Sequence, residues 1–283
     1  MFHRTTRSVD GVTITYSVSG TADTAIVFIH GGLADRAFWD GQHTPFSHNY
    51  KVIALDLAGH GESGRDRPKW GIVEFAHDVL AVLDTERVPH AILVGNSLGG
   101  AVAIEAALLA GPRAHAVIGA VIGVDTFHDM GRHIDTRWAT EQADAWRRDF
   151  DGTLNAMLAA LFHPDAAHSL VADVRRRMSR TPPEIVGAMF ASFADYDTAA
   201  SARQLRVPVR CINGDLFPTD TRAIQQILTD FDAVVLPHRP LPDAGVPRWV
   251  QSEAGRNAGR DLSRLGFLPV FSALISAFSA SLR

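Results

Sequence analysis

The chain has 283 residues, 46% of them hydrophobic, and a net charge of −4 at neutral pH. That length can bury a large core, and the mildly acidic balance argues against a nucleic-acid partner. A single cysteine, Cys211, excludes an internal disulfide framework and is compatible with a reducing compartment.

The opening Met1-Phe2-His3-Arg4 lacks the apolar stretch of a signal peptide. No segment reaches the ~18 uninterrupted apolar residues of a membrane span. A soluble, cytoplasmic protein with no membrane partner is expected. The longest basic run, Arg175-Arg176-Arg177, reads as a solvated helix face. The histidines are scattered and no Cys/His ligand spacing occurs, so neither a metal nor an organic cofactor is expected.

In chain order, Asp10-Gly11 suggests a hairpin turn before the alternating, β-branched Val12 to Tyr16. Ala25 to Ile29 and Val52 to Leu55 are apolar runs suited to central parallel strands. Between them, Arg36 to His48 reads as a helix carrying Phe38 and Trp39 inward. Residues 72 to 86 form an amphipathic helix, then Ala91 to Val94 a buried strand and Ala101 to Ala110 a helix rich in strong formers. Ala116 to Val124 is the next strand. This β-α alternation predicts a doubly wound, mostly parallel sheet with right-handed crossovers.

The alternation then stops. From Thr126 to Gln204 the periodicities are helical, with helices expected at Thr136–Phe150, Thr153–Phe162, Ala167–Arg180 and Glu184–Tyr196. Pro164 and Pro182-Pro183 break between them. Strands resume at Val207 to Ile212, where Cys211 reads as a buried residue rather than a reactive thiol, and at Ala233 to Leu236.

Gly95-Asn96-Ser97-Leu98-Gly99 lies between the strand ending at Val94 and the following helix. A serine on so sharp a turn is lifted out of the sheet, its oxygen at a helix N-terminus where developing negative charge is favoured. Glycines at 95 and 99 leave room for the turn. With Phe28-Ile29-His30-Gly31-Gly32, Asp56-Leu57-Ala58-Gly59-His60-Gly61-Glu62-Ser63 and Cys211-Ile212-Asn213-Gly214-Asp215, this turn makes four blocks in one order. Over residues 12 to about 236 the chain resembles the α/β-hydrolase superfamily, specifically its small capped serine carboxylesterases and lactonases. The resemblance implies an α/β core of residues 1–125 and 205–283, with a helical cap of residues 126–204 inserted after the sixth strand. Such a cap would roof the serine; Met157, Leu161, Phe162, Met189, Phe190 and Phe193 could line its pocket, two or three of them facing substrate.

Acyl transfer by serine needs a base, an acid to orient it, and donors for the oxyanion. Ser97 is the candidate nucleophile. The Leu98 N–H supplies one oxyanion donor, and the resemblance makes Gly32 the second. It also gives His30 and His60 loop-bracing roles. Asp215 is the expected acid, with Asp125 as its rival; a capping role at the start of the helical stretch is expected for Asp125. Asp220 is expected to cap the helix Thr221–Leu228. The only histidine after Asp215 is His238, the candidate base.

Here the chain departs from the family, which has Gly-His after the last strand where this chain reads Leu236-Pro237-His238-Arg239-Pro240. Read one base later from His238, the codons permit Thr-Gly-His-Phe-Pro-Met-Leu-Glu-Ser-Pro-Gly-Gly-Phe-Asn, which looks like the family's histidine loop and last helix. Our hypothesis is a frameshift near codon 237 that leaves His238 to Arg283 out of frame. Resequencing the source DNA tests it; an intact frame with incompatible third bases would exclude it.

The expected function is hydrolysis of small carboxylic esters or lactones, a small-molecule substrate, through an acyl-enzyme on Ser97. One alternative is carbon–carbon bond hydrolysis, because Asn96 also precedes the serine in that branch. Another is a catalytically impaired, ligand-binding member of the fold. Epoxide hydrolase and dehalogenase chemistry is disfavoured, since those relatives carry Asp where Ser97 stands.

Overall fold

In a computed structural model of the chain, the described residues are 1–111, 118–162, 164 and 166–236. His238, and with it the whole tail from 237 to 283, lies outside them. Among the described residues eight strands form one sheet: β1 (Phe2–Arg7), β2 (Thr13–Ser19), β3 (Thr24–Ile29), β4 (Lys51–Leu55), β5 (His90–Asn96), β6 (Ile118–Val124), β7 (Val209–Gly214) and β8 (Phe231–Leu236). Their order is β1-β2-β4-β3-β5-β6-β7-β8. The β1–β2 and β2–β4 pairs are antiparallel and the others parallel.

The continuous apolar runs are the parallel strands because both faces of those strands are covered. Alternation splits each run between two cores. Val27 and Ile29 point into the larger cluster, with Phe75, Val79, Val102 and Ala106 of the helices α2 (Ile72–Thr85) and α3 (Leu98–Leu109). Ile26 and Phe28 point the other way, onto Trp39 and Phe46. Cys211 is fully buried in β7, and burial pushes its thiol pKa up.

Two local expectations need correction. The segment after β3 opens as a 3-10 turn, Arg36–Trp39, before the short helix α1 (Asp40–Phe46). Its tighter winding sends Trp39 into the core, stacked on Phe28 at 4.8 Å, and turns Phe38 outward, 40% exposed. There the Arg177 guanidinium lies 5.7 Å over the Phe38 ring. Second, Phe2-His3-Arg4-Thr5-Thr6-Arg7 pairs along its whole length with β2, although its polar, exposed sequence carried no strand signal.

Among the described residues, five α-helices lie between β6 and β7, α4 (Thr136–Arg148), α5 (Phe150–Leu161), α6 (His168–Met178), α7 (Pro183–Ser192) and α8 (Thr198–Gln204), with a 3-10 turn at Phe193–Asp195. Asp125 does not cap this stretch. The cap of α4 is Asp135, whose carboxylate accepts from the N–H groups of Arg137 and Trp138 at 2.6 and 3.2 Å. Asp220 does cap α9 (Thr221–Gln225), accepting from Ala223 N at 2.9 Å. No helix of the described residues is long and apolar enough to cross a membrane.

Candidate active site

Ser97 ends β5 with φ 49° and ψ −116°, in the left-handed half of backbone space that non-glycine residues avoid. Local sequence explains how the turn closes. A Cβ on residue 95 would stand 2.1 Å from the Gly99 carbonyl oxygen, and one on residue 99 would stand 2.4 Å from the Ile29 carbonyl oxygen. Only glycine fits either place. Ser97 is exposed and heads a twelve-residue helix, so its hydroxyl stands where the N-terminal dipole favours an oxyanion.

The loop after β3 flanks this turn. A Cβ on Gly31 would lie 3.3 Å from Ser97 Cβ, and one on Gly32 would lie 3.9 Å from Leu98 Cδ2. Gly32 and Leu98 therefore face each other beside the serine. His30 holds the loop in place: its Nε2 accepts from Leu57 N–H at 3.0 Å, so Nδ1 carries the proton donated to the Gly31 carbonyl at 2.7 Å. Burial pushes the pKa of His30 down to about 4 and that of His60 down to about 3. Their rings lie 5.0 Å apart, and His60 Nδ1 donates to Ala58 O at 3.0 Å. These bonds are the bracing expected of both histidines.

The helical stretch covers the loop. Met189 of α7 is 1% exposed, and its Cε lies 2.9 Å from where a Gly32 Cβ would stand. Phe190 stacks on Trp146 at 5.5 Å and meets Phe193 at 5.1 Å, so these two pack among the helices themselves. Leu161 is 40% exposed, while Met157 and Phe162 pack against the main core. Arg177 of α6 forms an ion pair with Asp35 at 3.5 Å, four residues beyond Gly31. A cavity of about 340 Å³ opens between the start of α4 and the loop after β6, lined by Ala101, Phe127, Met130 and Trp138 together with His128, Arg132 and Asp135; Ser97, Gly32 and Leu98 do not line it.

Both candidate carboxylates stand at the same edge of the sheet. Asp215 directly follows β7, is exposed, and donates its N–H to Leu236 O at 3.1 Å. Asp125 directly follows β6, and its Oδ1 accepts from Gly214 N–H at 2.7 Å. Sequence reasoning missed Thr126 and Asn213. The Thr126 hydroxyl donates to Ser97 O at 2.9 Å, while Asn213 Oδ1 accepts from Thr126 N–H at 3.2 Å and its Nδ2 donates to Thr126 O at 2.9 Å. An asparagine between a buried strand and Gly214 was the available signal, since a buried amide needs partners.

Fold and site define an α/β-hydrolase architecture, and a sequence profile of the alpha/beta hydrolase family matches residues 26–265. The chain belongs to that family. Among relatives, an uncharacterized protein of Mycobacterium tuberculosis is 38% identical over 102 residues, 35% of this chain and 29% of that one. The 3-oxoadipate enol-lactonase 2 of Acinetobacter baylyi is 32% identical over 102 residues, 35% of this chain and 38% of that one. The chain thus spans well under half the length of these relatives. A thermophilic esterase from Thermogutta terrifontis superposes with a TM-score of 0.71 at 20% identity, over 84% of this chain and 90% of its own, a likeness of fold.

Proposed function

We propose that the protein is a serine hydrolase of small carboxylic esters or lactones, working through an acyl-enzyme on Ser97. The observation that carries this reading is the strained Ser97 turn at the start of α3, with the Gly31-Gly32 loop beside it. Ser97 Oγ attacks the substrate carbonyl and passes its proton to a histidine following β8, for which His238 is the candidate. The N–H groups of Gly32 and Leu98 hold the tetrahedral oxyanion, and the leaving alcohol takes the proton from the imidazole. Water then attacks the acyl-enzyme by the same route. Enol-lactonase activity in the Acinetobacter relative supports the lactone half of the reading.

The test is hydrolysis of p-nitrophenyl butyrate by the chain, with Ser97→Ala and His238→Ala beside it. The expected result is turnover lost in both variants. A parent no better than Ser97→Ala, with turnover gained on restoring the shifted frame, would show that this chain lacks a working base.

A further inference from the structure

We infer that the cavity between the start of α4 and the loop after β6 is a binding site for a free α-amino acid with a large apolar side chain. The site stands apart from the serine chemistry, since Ser97 does not line it. Its volume of about 340 Å³ falls within the range of small-molecule pockets. The buried lining residues make an apolar floor: Phe127 is 7% exposed and Met130 4%, and Ala101 lies with them. Trp138, 37% exposed, adds an aromatic surface that a ligand ring can meet.

The floor is fixed in advance. Asp125 has φ 45° and Phe127 φ 59°, both in the left-handed region. For a residue as bulky as phenylalanine that angle is a genuine outlier. Two glycines make room for its ring. A Cβ on Gly100 of α3 would lie 3.0 Å from Phe127 Cζ, and one on Gly123 of β6 would lie 3.0 Å from Phe127 Cδ2. Between the two strained residues, Thr126 is pinned: its hydroxyl donates to Ser97 O, and its N–H and carbonyl both bond the Asn213 amide. Strain held so firmly clusters at ligand clamps, and a rigid floor loses little freedom on binding.

The rim supplies the charge pattern. Asp129 and Arg132 both line the cavity and are exposed. Arg132 N–H donates to Asp129 O at 3.2 Å, a turn that keeps their Cα atoms within about 7 Å. Neither side chain has an ion-pair or hydrogen-bond partner among the described residues. Their neighbours on the rim are engaged: His128 Nδ1 bonds Thr219 Oγ1 at 3.1 Å, and the Asp135 carboxylate caps α4. One anion and one cation therefore stand one turn apart without counter-charges. An α-amino acid carries its ammonium and carboxylate on a single carbon, so it answers both at once while its side chain reaches the floor. A ligand with one charge answers only one.

The experiment is a ligand-observed NMR titration of the full chain carrying Ser97→Ala, which removes hydrolysis from the readout. The probes are L-phenylalanine, phenylacetate, which lacks the ammonium, and phenethylamine, which lacks the carboxylate. L-Phenylalanine should saturate with a Kd of about 1 mM, since exposed ion pairs add little. Each one-charge analogue should bind about two- to five-fold more weakly. Arg132→Gln should weaken L-phenylalanine by that factor and leave phenethylamine unchanged. Asp129→Asn should weaken L-phenylalanine and leave phenylacetate unchanged. Trp138→Ala should weaken all three, and thermal melts confirm that each variant folds. No saturation by L-phenylalanine at about 20 mM overturns the site. Analogues bound as tightly as L-phenylalanine, or charge variants without effect, overturn it equally.

Discussion

Gly99 shows how little freedom a single position in the serine turn has. Adding one methyl there drives a Cβ into the Ile29 carbonyl, a backbone atom that cannot swing away. Gly99→Ala should therefore cost about 2–3 kcal/mol, read by urea denaturation, and should lower ester hydrolysis by more than its effect on folding explains. His30 makes a prediction in pH. Its folded pKa of about 4 lies below the value of about 6.5 for an unfolded histidine. The unfolded state consequently binds the extra proton between these limits. The stability associated with neutral His30 is full above pH 6.5 and is lost as pH falls toward 4. His30→Asn should remove up to one proton from this dependence, flattening stability against pH by about 1.4 kcal/mol per unit. Urea titrations at pH 5 and pH 7 measure it; an unchanged slope would mean that the ring is protonated in the fold.

At the scale of elements, α7 and the loop after β3 form one packed unit through Met189. Met189→Ala should destabilise the protein by about 2–5 kcal/mol. It should also raise the hydrolysis of octanoyl relative to butyryl esters, because the space it vacates adjoins the proposed oxyanion donor. Equal rates for both chain lengths before and after would place the acyl group elsewhere. The elements themselves were legible in the sequence wherever burial was two-sided. The central strands appear as apolar runs because nothing polar can be tolerated on either face. The edge strand β1 was illegible: its polar residues face water and only pairing with β2 makes it a strand. The serine turn was legible because its glycines answer local crowding. Met189 could be named only as one of six apolar helix residues, since helical spacing does not say which neighbour a face meets. The backbone angle of Asp125 was hidden for a related reason. It is imposed by the bonds of Asp125 to Ile212 and Gly214 and of its neighbour Thr126 to Asn213, partners that arrive from elsewhere in the chain.

Across the whole molecule, buried charge concentrates on one side of the sheet. Arg67, with no side-chain exposure, pairs with the equally buried Asp78 of α2 at 2.6 Å and reaches Asp10 of the β1–β2 turn at 2.9 Å. Asp78 also accepts from Ala58 N–H at 3.1 Å. Arg36 pairs with Asp56 after β4 and with Glu62 at 2.6 Å. Arg67→Met leaves Asp78 without its counter-charge and should cost about 3–5 kcal/mol, measurable by chemical denaturation. A loss below 1 kcal/mol would show the pair to be replaceable by packing. Both networks brace the loops after β4 and the N-terminal hairpin, close to His30 and the proposed oxyanion donors. Among the described residues, the β6–β7 edge is bridged instead by neutral hydrogen bonds through Asn213 and Thr126, and by the single carboxylate contact of Asp125. The loops proposed to grip a carbonyl are therefore braced largely by buried charge, and the β6–β7 edge largely by neutral hydrogen bonds. On the proposed reading, a change that alters the second set of bonds leaves the charge-braced loops standing, so a lost turnover could be restored without rebuilding that half of the fold.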